Sequence, residues 1–329
     1  MFGLIGLSYG ILHIDALKAI YTLYNSTYYN YIGIFGFVNG SSSEFTNVVI
    51  QFFIGQQQVS QYVGALAGVL VAQIQNIHSI TIQNSFITSS FNAGFIASIG
   101  SNININMVNL HDSSINCSYN VLSPSIQTIC GGIIGQVRDQ INLINNQIRI
   151  QIMQCIIYSI QINTYHVITW SLAGGLIGDS HITPLSIQQT IVNKSDIYAY
   201  GPVTNGVTAS GLISFMYNQN NIEFSNINLC NSNLRVSSNT SQFQSCSGLF
   251  SHVLQTQFYS NMTLILSNSI VTNISLSVNG FATLSGVIFT NNRILQFSAS
   301  QVSTEGTNTI NGVTIQNCAS VINTSQSGC

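Results

Sequence analysis

The sequence predicts an all-β fold, a right-handed parallel β-helix (a solenoid) of about nine coils, and three observations lead to this prediction. A tetrapeptide of a glycine, two apolar residues and, in most copies, a small residue occurs nine times along the 329 residues. Stretches between its copies alternate apolar and polar residues, which is typical of strands with one buried face. Only three prolines interrupt the chain, as expected where strands need their backbone N–H donors for sheet ladders.

The glycines that open the tetrapeptides form the first predicted column. Their separation ranges from 30 residues (Gly3 to Gly33) to 43 residues (Gly132 to Gly175), which is a period expected of solenoids. A corner that needs close backbone approach or a positive φ explains the glycine. We therefore expect the glycines of successive coils to lie next to one another in a single parallel sheet. The predicted column is Gly33, Gly64, Gly94, Gly132, Gly175, Gly211, Gly248 and Gly286.

The two apolar residues behind each glycine predict how the corner faces the core. Ile134, Ile177, Ile213 and Phe250 share the second apolar position. Because adjacent side chains on a strand point to opposite faces, we expect one member of each pair to be inward in every coil. The other member should be covered by a loop or exposed.

A second column reads apolar, any residue, then Asn or Asp, about 18 to 20 residues after the glycine in five coils. Examples are Ile82-Gln83-Asn84 and Leu229-Cys230-Asn231. Asn and Asp tolerate the left-handed region, and their side chains can hydrogen-bond along a stack. The pattern therefore predicts a structural ladder. Its members are Asn84, Asp112, Asn193, Asn231 and Asn268.

Domain organisation follows from the repeats. One repeat cannot cover its own apolar face, whereas stacking buries a continuous core, so we expect a single β-helical domain over residues 1–329. Residues 1–31 are an atypical first coil or cap, and residues 13–20 within them have a short capping helix as the alternative. A sequence that opens inside its own repeat is compatible with a fragment of a longer protein.

Composition excludes several classes of protein. Apolar residues make up 46% but charged residues only 4%, with a net charge of −2. A disordered chain is poor in apolar residues, and nucleic-acid binding needs basic surface, so neither is predicted. No apolar run reaches the roughly 18 residues of a membrane-spanning helix. The apolar start lacks the basic region of a signal peptide.

The seven cysteines favour no metal site, because none forms a CxxC pair and no histidine lies at zinc-ligand spacing. We expect neither a metal nor another cofactor. Buried free thiols that behave as small apolar residues are the favoured interpretation. Disulfide pairing and oligomeric state are left open by the sequence.

Two copies of the repeat carry a resemblance to a known family. Gly-Gly-Ile-Ile-Gly at 131–135 and Gly-Gly-Leu-Ile-Gly at 174–178 resemble the GLUG motif of bacterial and protist surface proteins. Later copies depart from it, since Ser214 and Ser251 replace the last glycine. The resemblance implies an extracellular or surface-exposed, adhesin-like β-helical module without catalytic residues.

An enzyme is the alternative, because parallel β-helices also host polysaccharide lyases and hydrolases. Glycoside hydrolysis needs two carboxyl groups within roughly 5 to 10 Å. Asp139 and Asp179 follow neighbouring corner glycines by seven and four residues, with Arg138 and His181 nearby. Because these offsets differ, we expect the two acids to be separate and solvent-facing.

The sequence therefore predicts a non-enzymatic surface or extracellular module that acts as a spacer or adhesive stalk. Its partners would be glycans or cell-surface proteins, contacted weakly and many at a time. The runner-up is the carbohydrate-active enzyme described above. An ice-surface or crystal binder ranks last, because the chain has no Thr-x-Thr repeat.

Overall fold

A computed structural model shows an all-β chain in which every strand pairing is parallel, and the described residues contain no helix. The parallel all-β prediction is thus confirmed, and the stacked strands have the form of a β-solenoid. The structure describes residues 5–8, 11–20, 23–26, 31–39, 41–57, 62–71, 74–100, 102–119, 127–137, 150–181, 184–202, 206–217, 221–238, 244–254, 263–279, 283–286 and 307–323.

Three sheets run along the stack, and the largest, here the broad sheet, has 22 strands among the described residues. Its strands are Ile11–Asp15, Lys18–Ile20, Leu23–Ser26, Ser42–Gln51, Ile54–Gln57, Ile74–Gln83, Phe86–Ser89, Ile103–Tyr119, Ile150–Met153, Ile156–His166, Leu185–Gln188, Ile191–Asn193, Asp196–Tyr200, Asn221–Ser225, Asn228–Cys230, Asn233–Ser237, Thr263–Ser267, Ile270–Thr272, Ser275–Asn279, Thr307–Asn311, Thr314–Gln316 and Ala319–Asn323.

Two smaller sheets of eight described strands each flank a sharp corner. The pre-corner sheet comprises Tyr31–Ile32, Tyr62–Gly64, Asn92–Gly94, Thr128–Gly131, Trp170–Gly174, Gly206–Ser210, Gln244–Ser247 and Thr283–Gly286. The post-corner sheet comprises Ile5–Ser8, Phe35–Val38, Ala67–Leu70, Ala97–Gly100, Ile134–Val137, Ile177–Ser180, Ile213–Tyr217 and Phe250–Leu254. Each repeat passes through the broad, pre-corner and post-corner sheets in that order.

The broad sheet bends twice in each repeat, at residues with φ between 48° and 62°. In Ser42–Gln51 the buried residues are Ser43, Phe45, Val48 and Ile50, so the spacing of two lengthens to three across Asn47. This left-handed residue adds one outward position, as a β-bulge does, and curves the strand around the core. The first turn column is Ala16, Asn47, Ser79, Met107, Gln154, Gln189, Asn226, Asn268 and Gly312; the second is Phe52, Asn84, Asp112, Ser159, Lys194, Asn231, Asn273 and Asn317.

The predicted Asn/Asp column is correct for three of its five members. Asn84, Asp112 and Asn231 lie in the second turn column with a positive φ. The placement of Asn268 is wrong, because it belongs to the first turn column, and that of Asn193 is wrong because Lys194 takes the turn position. The repeats place their Asn residues at either of two turns five residues apart, and a single offset from the glycine cannot separate them.

Polar ladders link neighbouring repeats at these turns. Asn231 Nδ2 donates to Asn193 Oδ1 at 3.0 Å, and Asn273 Nδ2 donates to Asn231 Oδ1 at 2.9 Å. One residue further on, buried Ser232 Oγ donates to the Cys230 carbonyl at 2.8 Å and accepts from the backbone N–H of Ser195 at 3.1 Å. The predicted hydrogen bonding along the stack is therefore present.

The glycine column is correct in part and splits into two. Gly64 pairs with Gly94, but Gly94 pairs with Gly131, and Gly131 pairs with Gly174. Gly132, Gly175, Gly211 and Gly248 instead lie one residue later, inside the corner, whereas Gly286 pairs with Ser247. Gly131 and Gly175 themselves have no room for a side chain, since a Cβ built on Gly131 would overlap the Ile134 carbonyl and one on Gly175 the Gly211 carbonyl. Other repeats carry Ser210 at the first position and Ala65 at the second. Because Gly131-Gly132 and Gly174-Gly175 are each two adjacent glycines, the sequence alone does not show which of the two pairs with the glycine of the next repeat.

The prediction that only one apolar residue of each pair enters the core is wrong. Ile134 pairs with Ile177, Ile177 with Ile213 and Ile213 with Phe250, which confirms that column. The preceding residue, such as Leu176 beside Ile177, is equally buried in the same core. It lies in the corner between two strands, where the alternation of an extended strand does not apply.

The pre-corner and post-corner sheets press against each other, and all residues of 128–137 and 171–180 are buried. Ile129, Leu172 and Phe215 form a small apolar cluster separate from the main core, with Trp170 packed against it. In the next repeats hydroxyl side chains replace apolar ones between the two sheets. For example, Ser214 Oγ donates to the Thr208 carbonyl at 3.0 Å. This corner layer (residues 128–137, 171–180, 206–216 and 244–251) is the most completely buried part of the described chain.

The cysteines divide into four groups, one of which, Cys230 and Cys318, is free but only half-buried and so departs from the expected burial. Cys117 and Cys130 form a disulfide between the broad and pre-corner sheets of one repeat, so the free-thiol interpretation is wrong for this pair. Cys155 and Cys246 are buried free thiols, as expected, and burial raises the pKa of each to about 12. Cys329 lies outside the described residues.

The capping helix considered for residues 13–20 is wrong, because Ile11–Asp15 and Lys18–Ile20 are strands of the broad sheet joined at Ala16. Both pair with Ser42–Gln51, so residues 11–20 continue the stack. No helix that could cross a membrane occurs among the described residues.

Candidate functional site

An open polar groove of about 300 Å³ lies on the outer face of the broad sheet at the second turn column. Three consecutive repeats line it, so the stack itself brings these residues together from positions more than eighty residues apart in sequence. Its lining residues are Asp112, Ser113, Ser114, Ser159, Ile160, Gln161, Lys194 and Asp196.

Small side chains create the depression. Ser114 pairs with Phe86 of the preceding repeat and with Gln161 of the following one, which in turn pairs with Asp196. Along this column the side chain is therefore large at Phe86, small at Ser114, and longer again at Gln161 and Asp196. Asp112, Ser159 and Lys194 form the adjacent wall in the second turn column.

The Asp112 carboxylate is held by its neighbours. His111 Nδ1 lies 3.0 Å from Asp112 Oδ2. This hydrogen bond, followed by one from the Ser159 side chain, lowers the pKa of Asp112. Its side chain is 52% exposed, so the carboxylate stays ionised and open to a ligand at neutral pH.

Lys194 and Asp196, both in the third lining repeat, each have a partner. The Lys194 ammonium lies 5.1 Å from the centre of the Tyr158 ring, and a hydrogen bond with the Tyr158 side chain raises the pKa of Lys194. Arg235 lies 3.4 Å from Asp196 Oδ1. The three charged groups of the groove are thus oriented before any ligand arrives, which lowers the entropic cost of binding.

A strip of tyrosines continues the site along the outer face. Tyr198 follows Asp196 by two residues on the same strand and stacks on Tyr200 with ring centres 4.7 Å apart. Tyr165 of the preceding repeat lies 4.9 Å from Tyr200, and Arg235 lies over Tyr198 at 5.4 Å. Half-exposed rings beside a polar groove offer an apolar contact with hydrogen-bonding groups next to it.

Charge is concentrated at this groove. Nine described residues are Asp, Glu, Lys or Arg, and four of them, Asp112, Lys194, Asp196 and Arg235, lie in or beside it. The arrangement can accept hydrogen bonds through two carboxylates and donate them through an ammonium, hydroxyls and the Gln161 amide. The described residues contain no group of three His, Cys, Asp or Glu side chains that could hold a metal ion.

The structure places Asp179 elsewhere, in the corner layer, whereas Asp139 and Arg138 lie outside the described residues. The expectation that Asp179 faces solvent is wrong, since it is 1% exposed. It lies on Ile177–Ser180, whose two faces are covered by the core and by the pre-corner sheet. Gln136 Nε2 donates to Asp179 Oδ2 at 2.7 Å, and His181 Nε2 lies 2.7 Å from the same oxygen.

Asp179 belongs to a buried polar chain that crosses the corner layer. Asn92 Nδ2 donates to Gln136 Oε1 at 3.0 Å, and Gln136 passes the chain to Asp179 and then to half-exposed His181. These hydrogen bonds offset part of the desolvation cost of the buried polar groups, while Asp179 Oδ1 is buried without a partner. The carboxylate orients the imidazole, which is the arrangement of an acid–base pair.

The sequence did not single out the groove. Lys194 and Asp196 were not candidates, and Asp112 was predicted only as a structural residue. The available signal was the gathering of scarce charges near the second turn, with Asp112 in one repeat and Lys194 and Asp196 two repeats later. Recognising it requires the strand register, because the repeats differ in length.

No family model, no curated protein and no solved structure matches the chain.

Proposed function

We propose that the chain is an extracellular or surface-displayed β-helical module that serves as a spacer or adhesive stalk and has no catalytic activity. In this proposal it is a right-handed parallel β-helix of about nine coils, related to the GLUG-motif surface proteins by the Gly-Gly-apolar-Ile-Gly corners at 131–135 and 174–178. The observation that carries the proposal is the continuous parallel stack with a largely polar outer face on the broad sheet.

Two further features support this function. Asn ladders such as Asn273 to Asn231 to Asn193 repeat the same hydrogen-bonding groups along the outer face, which suits weak contacts made many times. The Cys117–Cys130 disulfide suits an oxidising compartment outside the cytosol.

Removal of one repeat tests the stalk. Gln75 pairs with Ile103, so excision of residues 75–102 removes one repeat and leaves the groove intact. We expect the shortened chain to fold and to bind cell surfaces more weakly in graded fashion. Adhesion that is absent in the full chain, or that is lost completely on this excision despite folding, would contradict the proposal.

A polysaccharide-cleaving enzyme is the second candidate, and the contact between Asp179 and His181 is the observation that favours it. Release of reducing ends or unsaturated sugars from acidic and neutral polysaccharides tests it directly. Turnover that disappears in Asp179→Asn would establish the enzyme and overturn the stalk.

A further inference from the structure

We propose that the groove formed by Asp112, Ser114, Ser159, Lys194 and Asp196 binds a neutral oligosaccharide by one or two of its sugar rings. This assignment rests on the proposed adhesive function and gives it a specific contact site.

The lining matches a ligand rich in hydroxyl groups. Asp112 and Asp196 accept hydrogen bonds, Lys194 donates them, and the serine hydroxyls do both. Adjacent sugar hydroxyls can donate in pairs to one carboxylate, and such charge-assisted bonds are the stronger kind. Ile160 is the one apolar lining residue, and it is fully buried in the core, so an apolar peptide side chain finds no pocket here.

Backbone recognition of a peptide is also excluded at this surface. The strands of the three lining repeats pair with one another in register, and those at 196–200 pair onward with Asn233–Ser237. No free strand edge faces the groove, so an extended peptide cannot add to the sheet. A sugar needs no such edge.

The charge balance favours a neutral glycan over an acidic one. The lining holds two carboxylates and one ammonium. Arg235 lies beside the groove and is already paired with Asp196. A uronate or sulfate in the groove would face the carboxylates of both Asp112 and Asp196, and their repulsion opposes its contact with Lys194.

The size of the groove and the neighbouring aromatic rings also favour a sugar. A volume of about 300 Å³ lies at the lower end of the range for small-molecule sites, which suits one or two rings. The tyrosine strip that begins at Tyr198, two residues beyond Asp196, provides half-exposed rings against which the next sugar can pack. We expect weak binding at one groove, strengthened by display of many copies.

Glycan binding by the full chain tests the assignment, with ligand-observed NMR on neutral hexose oligosaccharides and on uronate and sulfated ones. Ser114→Phe fills the groove with the residue that the preceding repeat carries at Phe86, so the fold should accept it. Asp112→Asn and Asp196→Asn each remove one carboxylate. Glu223→Gln is the matched control, because it removes a carboxylate that does not line the groove.

We expect the parent and Glu223→Gln to bind neutral oligosaccharides, Ser114→Phe to lose binding, and each Asp→Asn variant to lose about tenfold in affinity. If Ser114→Phe still binds neutral oligosaccharides, the groove is not the binding site. If the chain binds only acidic glycans, the proposed ligand class is wrong. Absence of glycan binding overturns this assignment, while cell adhesion measured in parallel shows whether the stalk function stands without it.

Discussion

The corner layer and the outer face of the broad sheet differ in what allows successive repeats to stack. In the corner layer, backbone meets backbone so closely that Gly131, Gly174 and Gly175 have no room for a Cβ. On the outer face, the chain bends at residues in the left-handed region, and only one of the seventeen described turn positions in the two columns is a glycine. The available space therefore limits which residues can occupy the corner, whereas the backbone conformation limits which residues can occupy the turns of the outer face.

This difference explains where function can reside. In the close-packed corner several backbone positions have no room for a side chain, and a polar group buried there loses its hydrogen bonds to water. The outer face has free volume above every turn, so its side chains can vary without disturbing the core. Asp112, Lys194 and Asp196 occupy such positions, and the groove is the result.

Gly175→Ala should produce the largest effect. The added methyl group would overlap the Gly211 carbonyl of the next repeat, so the backbone of two repeats must shift, at a cost of about 3 kcal/mol. Urea denaturation followed by circular dichroism measures the loss. Ala65→Gly, the reverse change at the corresponding corner position, is the control and should cost only about 1 kcal/mol. Equal losses in the two variants would show that space does not limit the corner.

A buried histidine at the entrance to the corner layer should make stability depend on pH. Desolvation lowers the pKa of His166 to about 4, and its Nδ1 accepts from the backbone N–H groups of Ile168 and Thr169 at 2.9 and 3.0 Å. The unfolded side chain titrates near 6.5, so between these values the unfolded chain binds more protons and folding weakens as pH falls.

We expect the chain to lose about 2 kcal/mol between pH 7.5 and pH 5 through this group. In His166→Gln the loss over that interval should largely disappear, whatever the variant's overall stability. His78→Gln, on the exposed outer face, should keep the pH dependence of the parent. A pH slope that is unchanged in His166→Gln would contradict the burial of a neutral imidazole.

Met107→Asn should give the smallest effect, and it should be stabilising. Met107 has φ 59° and is 47% exposed, so the substitution relieves an unfavourable conformation and sacrifices little buried surface. The expected gain is about 1 kcal/mol, measured by urea denaturation. Met153→Asn, at a neighbouring position without a positive φ, should give no gain. A loss at Met107 would show that conformation does not limit the turns.

Sequence reasoning predicted the parallel stack because nine glycine motifs recur with a solenoid period. It missed the one-residue offset at the corner because Gly131-Gly132 and Gly174-Gly175 each present two candidates. Apolar spacing across the broad sheet was interpreted as simple alternation. The step from Ile77 to Ile80 is three residues and marks the turn at Ser79, so the bends were present in the sequence as breaks in that alternation.

The candidate site was less predictable than the fold. Asp179 could be placed next to Gln136, since each follows its corner glycine by four residues, but the burial of the pair depends on the pre-corner sheet that covers it. The groove depends on three repeats whose lengths differ. A column of Phe86, Ser114, Gln161 and Asp196 becomes visible only once the register is known.

Cross-linking through a native thiol tests the in-register stack most directly. Half-buried Cys230 pairs with Asn193 of the preceding repeat, and adjacent strands about 4.8 Å apart are within disulfide reach. Under mild oxidation we expect Asn193→Cys to form a disulfide with Cys230, identified by peptide mapping. Tyr158→Cys, one repeat further away, should form none with Cys230. A Cys230 cross-link from Tyr158→Cys, or none from Asn193→Cys, would contradict the register on which the corner and the groove depend.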